Sequence, residues 1–253
     1  MRISRLLFSS TLLFAPLASA QEHTVPPAFE RGGDGESFDP DQALPKLIRV
    51  QVEYIEMAHE KLTALLEEKG DSDDAALRLK VRDAITAKEA KILETFVVTS
   101  RSGHKTTVES ADEFIYPTEY EPMEIVEPPT EKAPPEATKT PFCPTAFETR
   151  NLGSSLEIEP TVGENSKIID LRLEPNMTWH TGNLVWAEDK DTIGNVSKIE
   201  MPRFYSIKAR TSVTCQTGKP LFIAVHSPKS DRGEVDTSRK VMVFVKCDVV
   251  TVK

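Results

Sequence analysis

The chain has 253 residues, of which 39% are hydrophobic and 28% charged, and its mean hydropathy is −0.33. This length suits one domain of ordinary size or two small ones, and this charge density excludes a polytopic helical membrane protein. The formal net charge of −9 argues against nucleic acid as a partner.

The first 20 residues have the pattern of a signal peptide. Arg2 and Arg5 form a basic start, an apolar run covers residues 6–15, and Ala18-Ser19-Ala20 is a small-residue cleavage site. A membrane anchor is the alternative, but it needs about 18 or more apolar residues. Cleavage removes both arginines and leaves 29 basic against 40 acidic residues, a net charge of −11. We therefore expect an exported protein.

The elements that follow begin with a leader and a strand. Residues 21–45 contain Pro and Gly clusters and few apolar side chains, which predicts a flexible leader. Residues 47–56 alternate apolar and polar side chains, as a half-buried strand does. A short helix from His59 should close at Gly70, and the acidic run 71–74 should cap a second helix that continues to about Ala90.

The middle of the chain combines short strands with a proline-rich segment. Strands are predicted at 92–99, 105–109 and 113–116. Residues 117–144 hold eight of the 18 prolines, a density that excludes a regular helix or a central strand. The same segment has six Glu and two Lys, so we expect an extended, solvated insertion.

Beyond Phe147 the pattern is that of β-structure. Alternating residues near 156–159 and 169–174, joined by turn residues at 163–166, predict a hairpin. Further strands are predicted at 183–187, 198–215, 220–226 and 239–250. The last of these is apolar on both faces, so it lies in the middle of a layer or faces lipid. The predicted fold class is α+β, mainly antiparallel β, with two helices near the N-terminus.

Three cysteines, Cys143, Cys215 and Cys247, allow one disulfide and one leftover thiol in an oxidising compartment. Cys215 and Cys247 lie in predicted strands and could form this disulfide if those strands are neighbours. The alternative is that both are buried thiols acting as small hydrophobic side chains. Trp179 and Trp186 leave a similar choice between anchors at a membrane interface and ordinary packed or edge aromatics.

Motifs for catalysis, metal binding or cofactor binding are absent from the sequence. His59-Glu60 lacks the second histidine of a zinc-protease helix, and the acidic residues after Gly70 lack the glycine and final glutamate of a calcium loop. There is no phosphate loop, no C-x-x-C pair and no G-x-S-x-G motif. We expect no catalytic residues, no metal and no cofactor, and a protein that is not an enzyme.

Several segments, in serial order, resemble the C-terminal core domain of the secretins, the ring-forming outer-membrane channels of type II and type III secretion and type IV pilus systems. The most specific is 149–160, which contains Gly153, Leu156, Ile158 and Pro160 and is similar to the family's "V-G-x-x-L-x-V-x-P" strand. The other similar segments are 48–56, 92–99, Tyr116-Pro117, 168–175, 202–213 and 241–250. The resemblance covers about residues 46–250. It implies a core domain at 46–253 that carries the Pro/Glu-rich insertion at 117–144, in a short form without the periplasmic domains that precede this core in full secretins.

The resemblance implies a homo-oligomeric ring in the bacterial outer membrane that works in protein secretion, with secretion-system components or secreted proteins as partners. One chain offers too few strands to close a wide channel, so neighbours would satisfy its sheet edges. The alternative is a periplasmic accessory or binding module that has the same fold and forms no pore.

Overall fold

The computed structural model describes residues 46–70, 73–122, 124–126, 138–163, 165–190 and 194–250. The predicted signal peptide at 1–20 and leader at 21–45 lie outside these residues. The elements in chain order are β1 (Leu47–Ala58), α1 (His59–Lys69), α2 (Asp74–Thr86), β2 (Ala90–Arg101), β3 (Thr106–Glu121), β4 (Ile125–Val126), β5 (Thr138–Lys139), β6 (Cys143–Val162), β7 (Ile168–Lys190), β8 (Val196–Lys208), β9 (Thr211–Gln216), β10 (Pro220–His226) and β11 (Arg239–Val250). The predicted α+β, mainly antiparallel class with two early helices is confirmed.

The first sheet, sheet A, has the strand order β10-β11-β1-β2, and all its pairings are antiparallel. β11 is central and is buried on both faces. Val243 and Val245 point into the core between the two large sheets, whereas Met242 and Phe244 point towards the helices. The sequence allows this strand, which is apolar on both faces, to lie in the middle of a layer or to face lipid. In the structure it lies in the middle of a layer.

The two helices cover part of the outer face of sheet A. Leu62 and Leu65 of α1 pack with Leu77 and Val81 of α2 on the strand residue Ile55. The start of α2 is as predicted, because the Asp73 carboxylate accepts a hydrogen bond from the backbone N–H of Ala75 (3.2 Å). In the described part of the chain, no helix is long and apolar enough to cross a membrane.

The second sheet, sheet B, has the order β3-β6-β7-β8, and β9 pairs with the first residues of β7. The predicted hairpin is β6–β7, with Leu156 opposite Pro175 and Val162 opposite Ile169. The inner face of sheet B packs on the inner face of sheet A. The fully buried residues of this interface include Ile48, Val50, Val52, Tyr54, Leu156, Ile158, Ile169, Leu171, Val243 and Val245.

Two strand pairs of sheet B continue beyond this core. The β6–β7 pairing begins at Gly153 opposite Thr178, so β3 with the start of β6, and the end of β7 with β8, continue as separate two-stranded ribbons. We call residues 112–121 with 143–152 ribbon 1, and residues 179–190 with 196–205 ribbon 2.

Both ends of the proline-rich segment belong to regular strands. β3 continues through Pro117 to Glu121, and β6 already begins at Cys143. Proline has no backbone N–H to donate to a neighbouring strand. The strand tolerates Pro117 because β3 is at the edge of sheet B and has a neighbour on one side only. The pairing register also shifts immediately after Pro117. Residues 127–137 of the insertion lie outside the described residues.

Several predicted strand boundaries are wrong. The strand expected at 198–215 is two strands, β8 and β9, and the chain between them turns where Ala209 donates its N–H to the carbonyl of Pro175 (3.2 Å). Residues 183–187 are the distal part of the 23-residue strand β7. The second helix ends at Thr86, short of the expected Ala90, which already belongs to β2.

Candidate assembly interface

The two ribbons contact each other through an aromatic cluster. The ring of Phe114 stacks on that of His180, with centroids 4.5 Å apart, and meets Phe204 edge-on at 5.9 Å. Tyr116 lies 5.5 Å from Phe204, and the Arg150 guanidinium lies 4.5 Å above the Phe204 ring. These contacts join β3 and β6 of ribbon 1 to β7 and β8 of ribbon 2.

Polar contacts extend this junction towards the tips of the ribbons. The backbone N–H of Phe142 donates to Ser197 Oγ (2.8 Å), and the Tyr120 hydroxyl donates to the carbonyl of Glu200 (3.5 Å). Within ribbon 1, the Tyr116 hydroxyl donates to Glu148 Oε2 (3.1 Å). The ribbons are therefore held face to face along much of their described length.

Gly153 is required where ribbon 1 leaves the core. Its φ of +130° is disfavoured for L side chains, and a Cβ at this position would lie 2.2 Å from the carbonyl oxygen of Ser110. The opposing strand β3 thus passes directly over the place where a side chain would be. This glycine belongs to the most specific of the secretin-like segments.

Both ribbons expose several large apolar side chains. Ile115 of ribbon 1 is 64% exposed and Trp186 of ribbon 2 is 74% exposed. The other large apolar side chains that the ribbons expose are Phe147, Leu184, Val185, Val196 and Met201. Exposed apolar residues in such a group mark a surface that contacts something other than water. Of the two tryptophans, Trp186 is on this surface, whereas Trp179 packs against the core beside Tyr205.

The two outer edges of sheet B carry opposite charge. β3 at one edge has five acidic side chains and no basic one, and β8 at the other edge has three basic side chains and one acidic one. Among the described residues, neither strand pairs with a second neighbour. Both edges therefore present unpaired backbone N–H and C=O groups, which are able to accept a further strand.

A loop from sheet A supports the base of ribbon 2. The Tyr205 hydroxyl donates to the carbonyl of Ser227 (2.6 Å), and Gly233 lies so close to Thr181 that a Cβ would clash. Asp236 orders this loop by accepting hydrogen bonds from Ser238 and from Arg239 Nε (2.7 Å). These donors hold the pKa of Asp236 at about 2, below the usual value for an aspartate.

The two cysteines for which the sequence allows a disulfide, Cys215 and Cys247, are brought together, and in the structure they are free thiols. Cys215 of β9 and Cys247 of β11 belong to one buried cluster, whereas Cys143 is exposed at the start of β6. The described residues contain no group of three or more His, Cys, Asp or Glu side chains that could hold a metal ion.

Sequence reasoning missed the aromatic cluster. Its signal was present in part, because Phe114 and Tyr116 are two residues apart and so share one face of a strand. Their partners His180 and Phe204 are distant in sequence, and only the β7–β8 register places those two opposite each other.

The chain is similar in fold to secretins. It is 10% identical to the type II secretin GspD of enteropathogenic Escherichia coli, covering 83% of this chain and 70% of that one with a TM-score of 0.42. It is 11% identical to the type IV competence pilus secretin PilQ of V. cholerae, covering 83% of this chain and 62% of that one with a TM-score of 0.42. It is 10% identical to the type II secretion system secretin GspD of E. coli K12, covering 82% of this chain and 51% of that one with a TM-score of 0.39. The chain thus spans between about half and seven tenths of the length of these secretins. No protein-family model and no curated protein matches the sequence.

Proposed function

We propose that this protein is a subunit of a secretin-like homo-oligomeric ring in the bacterial outer membrane, where it contributes to a channel for protein secretion. The observation that carries the proposal is the pair of two-stranded ribbons, which extend beyond the core with exposed apolar side chains and open edges. An isolated two-stranded ribbon is marginally stable in water. Neighbouring subunits would supply the missing strands.

The opposite charges of the two sheet edges support a head-to-tail contact. All pairings within sheet B are antiparallel, so β8 of one subunit would run antiparallel to β3 of the next. The basic strand would then lie beside the acidic one, which favours this pairing over β3 with β3 or β8 with β8. A contact of this kind that repeats around an axis closes a ring.

The role in secretion rests on the secretin-like segments of the sequence, above all residues 149–160. In the proposed ring the ribbons of all subunits surround one axis. Their partners would be the secreted protein and other components of a secretion system. The predicted signal peptide at 1–20 supports transport out of the cytoplasm as the first step.

Membrane fractionation combined with an unheated detergent gel tests this proposal. The full chain is expressed in a Gram-negative host, and its outer-membrane and periplasmic fractions are compared. We expect a high-mass band in the outer-membrane fraction that dissociates to monomer on heating. A monomer confined to the periplasmic fraction would contradict the proposal.

Charge reversal at the two edges tests the proposed contact itself. Glu113→Lys with Glu119→Lys places cations on β3 opposite those of β8, so the amount of ring should fall. Adding Lys198→Glu and Arg203→Glu to the same chain should restore it, because each interface again joins opposite charges. Asp231→Lys with Glu234→Lys, on the exposed loop before β11, changes the net charge by the same amount away from both edges, so this control should leave the ring intact.

The alternative, a periplasmic accessory or binding module, is favoured by one observation. Five carboxylates along a single edge strand repel an identical edge, and natural sheets use such charges to avoid pairing. In that case the acidic edge would be a solvated surface for a basic partner. The charge-reversed variants would then remain monomers like the unaltered protein.

A further inference from the structure

We propose that Cys215 and Cys247 form a disulfide bond that joins the two sheets when the protein folds in an oxidising compartment. This inference is independent of the ring, because both cysteines lie in the core and neither belongs to a ribbon. It selects one of the two possibilities that the sequence leaves open for these thiols.

The chain path brings the two cysteines together. β9 belongs to sheet B and pairs Cys215 with Ile169, whereas β11 belongs to sheet A and pairs Cys247 with Val50. Directly after β9 the chain crosses to sheet A, and there Gly218 donates its N–H to the carbonyl of Cys247 (2.8 Å). Cα atoms of β9 and β11 approach within 8 Å of each other. The sheets are therefore close where the two thiols lie.

Both side chains are buried in the same part of the core. Cys215 is 1% exposed and Cys247 is fully buried, and the two belong to the one hydrophobic cluster between the sheets. The neighbouring Cys215 thiol, together with burial, raises the pKa of Cys247. Two cysteines of one buried cluster, on strands whose Cα atoms approach within 8 Å, are placed for the short Cα separation that a disulfide requires.

The third cysteine has a different environment. Cys143 is exposed at the start of β6, opposite Glu121 of the edge strand β3. It is on ribbon 1, whereas the other two cysteines are in the core. This separation leaves one way to form an intramolecular disulfide in the folded chain.

The oxidation is a thiol–disulfide exchange with an external disulfide, such as that of a thiol–disulfide oxidoreductase. The thiolate of one cysteine attacks the external S–S bond, which breaks and releases the first external thiolate. The second cysteine thiolate then attacks the mixed disulfide, forms the Cys215–Cys247 bond and releases the second external thiolate. The two protein sulfurs lose two electrons, the external disulfide gains them, and the two protons leave with its thiols. The exchange takes place during folding, before the core closes.

The bond would connect the end of sheet B to the central strand of sheet A. The loop that it closes contains β10 and the turn into β11, so the unfolded chain loses conformational freedom. In the chain-entropy model a loop of roughly 30 residues changes the folding equilibrium constant by several hundred-fold.

Peptide mapping tests the bond without any substitution. Protein isolated from the periplasm or outer membrane is denatured with N-ethylmaleimide present, so that free thiols are blocked before they exchange. Trypsin then releases Cys215 in peptide 211–229, Cys247 in peptide 247–253 and Cys143 in peptide 140–150. We expect the first two peptides as one linked species that reductant separates, and Cys143 as the single blocked thiol. Three blocked thiols per chain would overturn the proposal, and so would a linked species that contains peptide 140–150.

Cytoplasmic expression and cysteine variants are the matched controls. The chain without residues 1–20, made in a reducing cytoplasm, should have three blocked thiols. Reductant should lower the urea midpoint of the exported protein and of Cys143→Ser equally, and should leave Cys215→Ala/Cys247→Ala unchanged. An equal effect on that double variant would overturn the proposal, and peptide mapping of the unsubstituted protein gives a result even if the variant fails to fold.

Discussion

The core and the ribbons are made from the same strands but use apolar side chains in opposite ways. In the core half of β6 the alternate residues Leu156 and Ile158 are buried between two sheets, whereas in its ribbon half Phe147 is exposed. β7 changes in the same way, from buried Leu171 to exposed Trp186. The core therefore satisfies its own hydrophobic surface, and the ribbons leave theirs for another molecule to cover.

Charge follows the same division. Around sheet A and its helices, charged side chains pair with one another. Arg78 of α2, for example, donates two hydrogen bonds of 2.9 and 3.1 Å to Glu53 of β1. The ribbon strand β3 instead collects acidic residues along an open edge. A region that stabilises the monomer can thus be distinguished from a region prepared for contact.

The largest expected effect is a loss of stability on substituting an isoleucine of the core, compared with an isoleucine exposed on a ribbon. Ile158 is 1% exposed in the core, so Ile158→Ala should lower the free energy of unfolding by about 2–5 kcal/mol. Ile115→Ala on the ribbon should change it by less than about 0.5 kcal/mol, because this side chain already contacts solvent. Urea denaturation of the monomer measures both. Equal losses would show that the ribbon packs as tightly as the core.

The boundary between the regions depends on Gly153. Gly153→Ala would place a methyl group 2.2 Å from the carbonyl oxygen of Ser110 at a φ of +130°. Gly182→Ala is the control, since φ there is +112° and nothing lies within 4 Å of the added atom. We expect Gly153→Ala to be the less stable variant by about 1–3 kcal/mol, the usual cost of overpacking. Thermal melts of the two variants would show no difference if the close approach of β3 does not matter.

The junction of the ribbons can be weakened without touching the core. Phe114→Ala removes the stacking on His180 and the edge-on contact with Phe204, contacts of about 0.5–1.5 kcal/mol for each aromatic pair. Amide hydrogen exchange of residues 112–121 should become several times faster, while exchange in β11 stays unchanged. Ile115→Ala, one residue away on the other face, should leave both rates as they are. Faster exchange in β11 would contradict the separation of ribbon from core.

The smallest expected effect is a pH dependence from the loop that supports ribbon 2. Asp236 has a folded pKa of about 2, below the ordinary aspartate value of 3.8, so the folded state favours the charged carboxylate. Its contribution to stability is complete above about pH 5 and is lost as the pH falls through 4 towards 2. Urea midpoints at pH 6 and pH 3 should differ less in Asp236→Asn than in the unsubstituted protein. Hydrogen bonds from Arg210 and Lys208 also lower the pKa of Glu174 to about 2. Part of the pH dependence should therefore remain in the Asp236→Asn variant.

Much of the core follows from local sequence signals. The alternation of 47–56, the cap at Asp73 and the turn before Ile169 all have local causes, and each element is found where the sequence places it. The ribbons do not follow from such signals. Pro117 in a strand depends on β3 being an edge, and the two parts of β7 have different partner strands. Strand order and the pairing of Phe114 with His180 are properties of distant segments, which a local pattern does not encode.

Cross-linking between two single-site variants tests the assembly contact most directly. In a Cys143→Ser background, Glu113→Cys marks the β3 edge of one chain and Lys198→Cys marks the β8 edge of another. The two chains are co-expressed and treated with a long flexible bismaleimide. Head-to-tail pairing predicts a covalent dimer from the mixture and little or none from either variant alone. No dimer from the mixture, or equal dimer from each variant alone, would contradict the pairing of β8 with β3 of the next subunit.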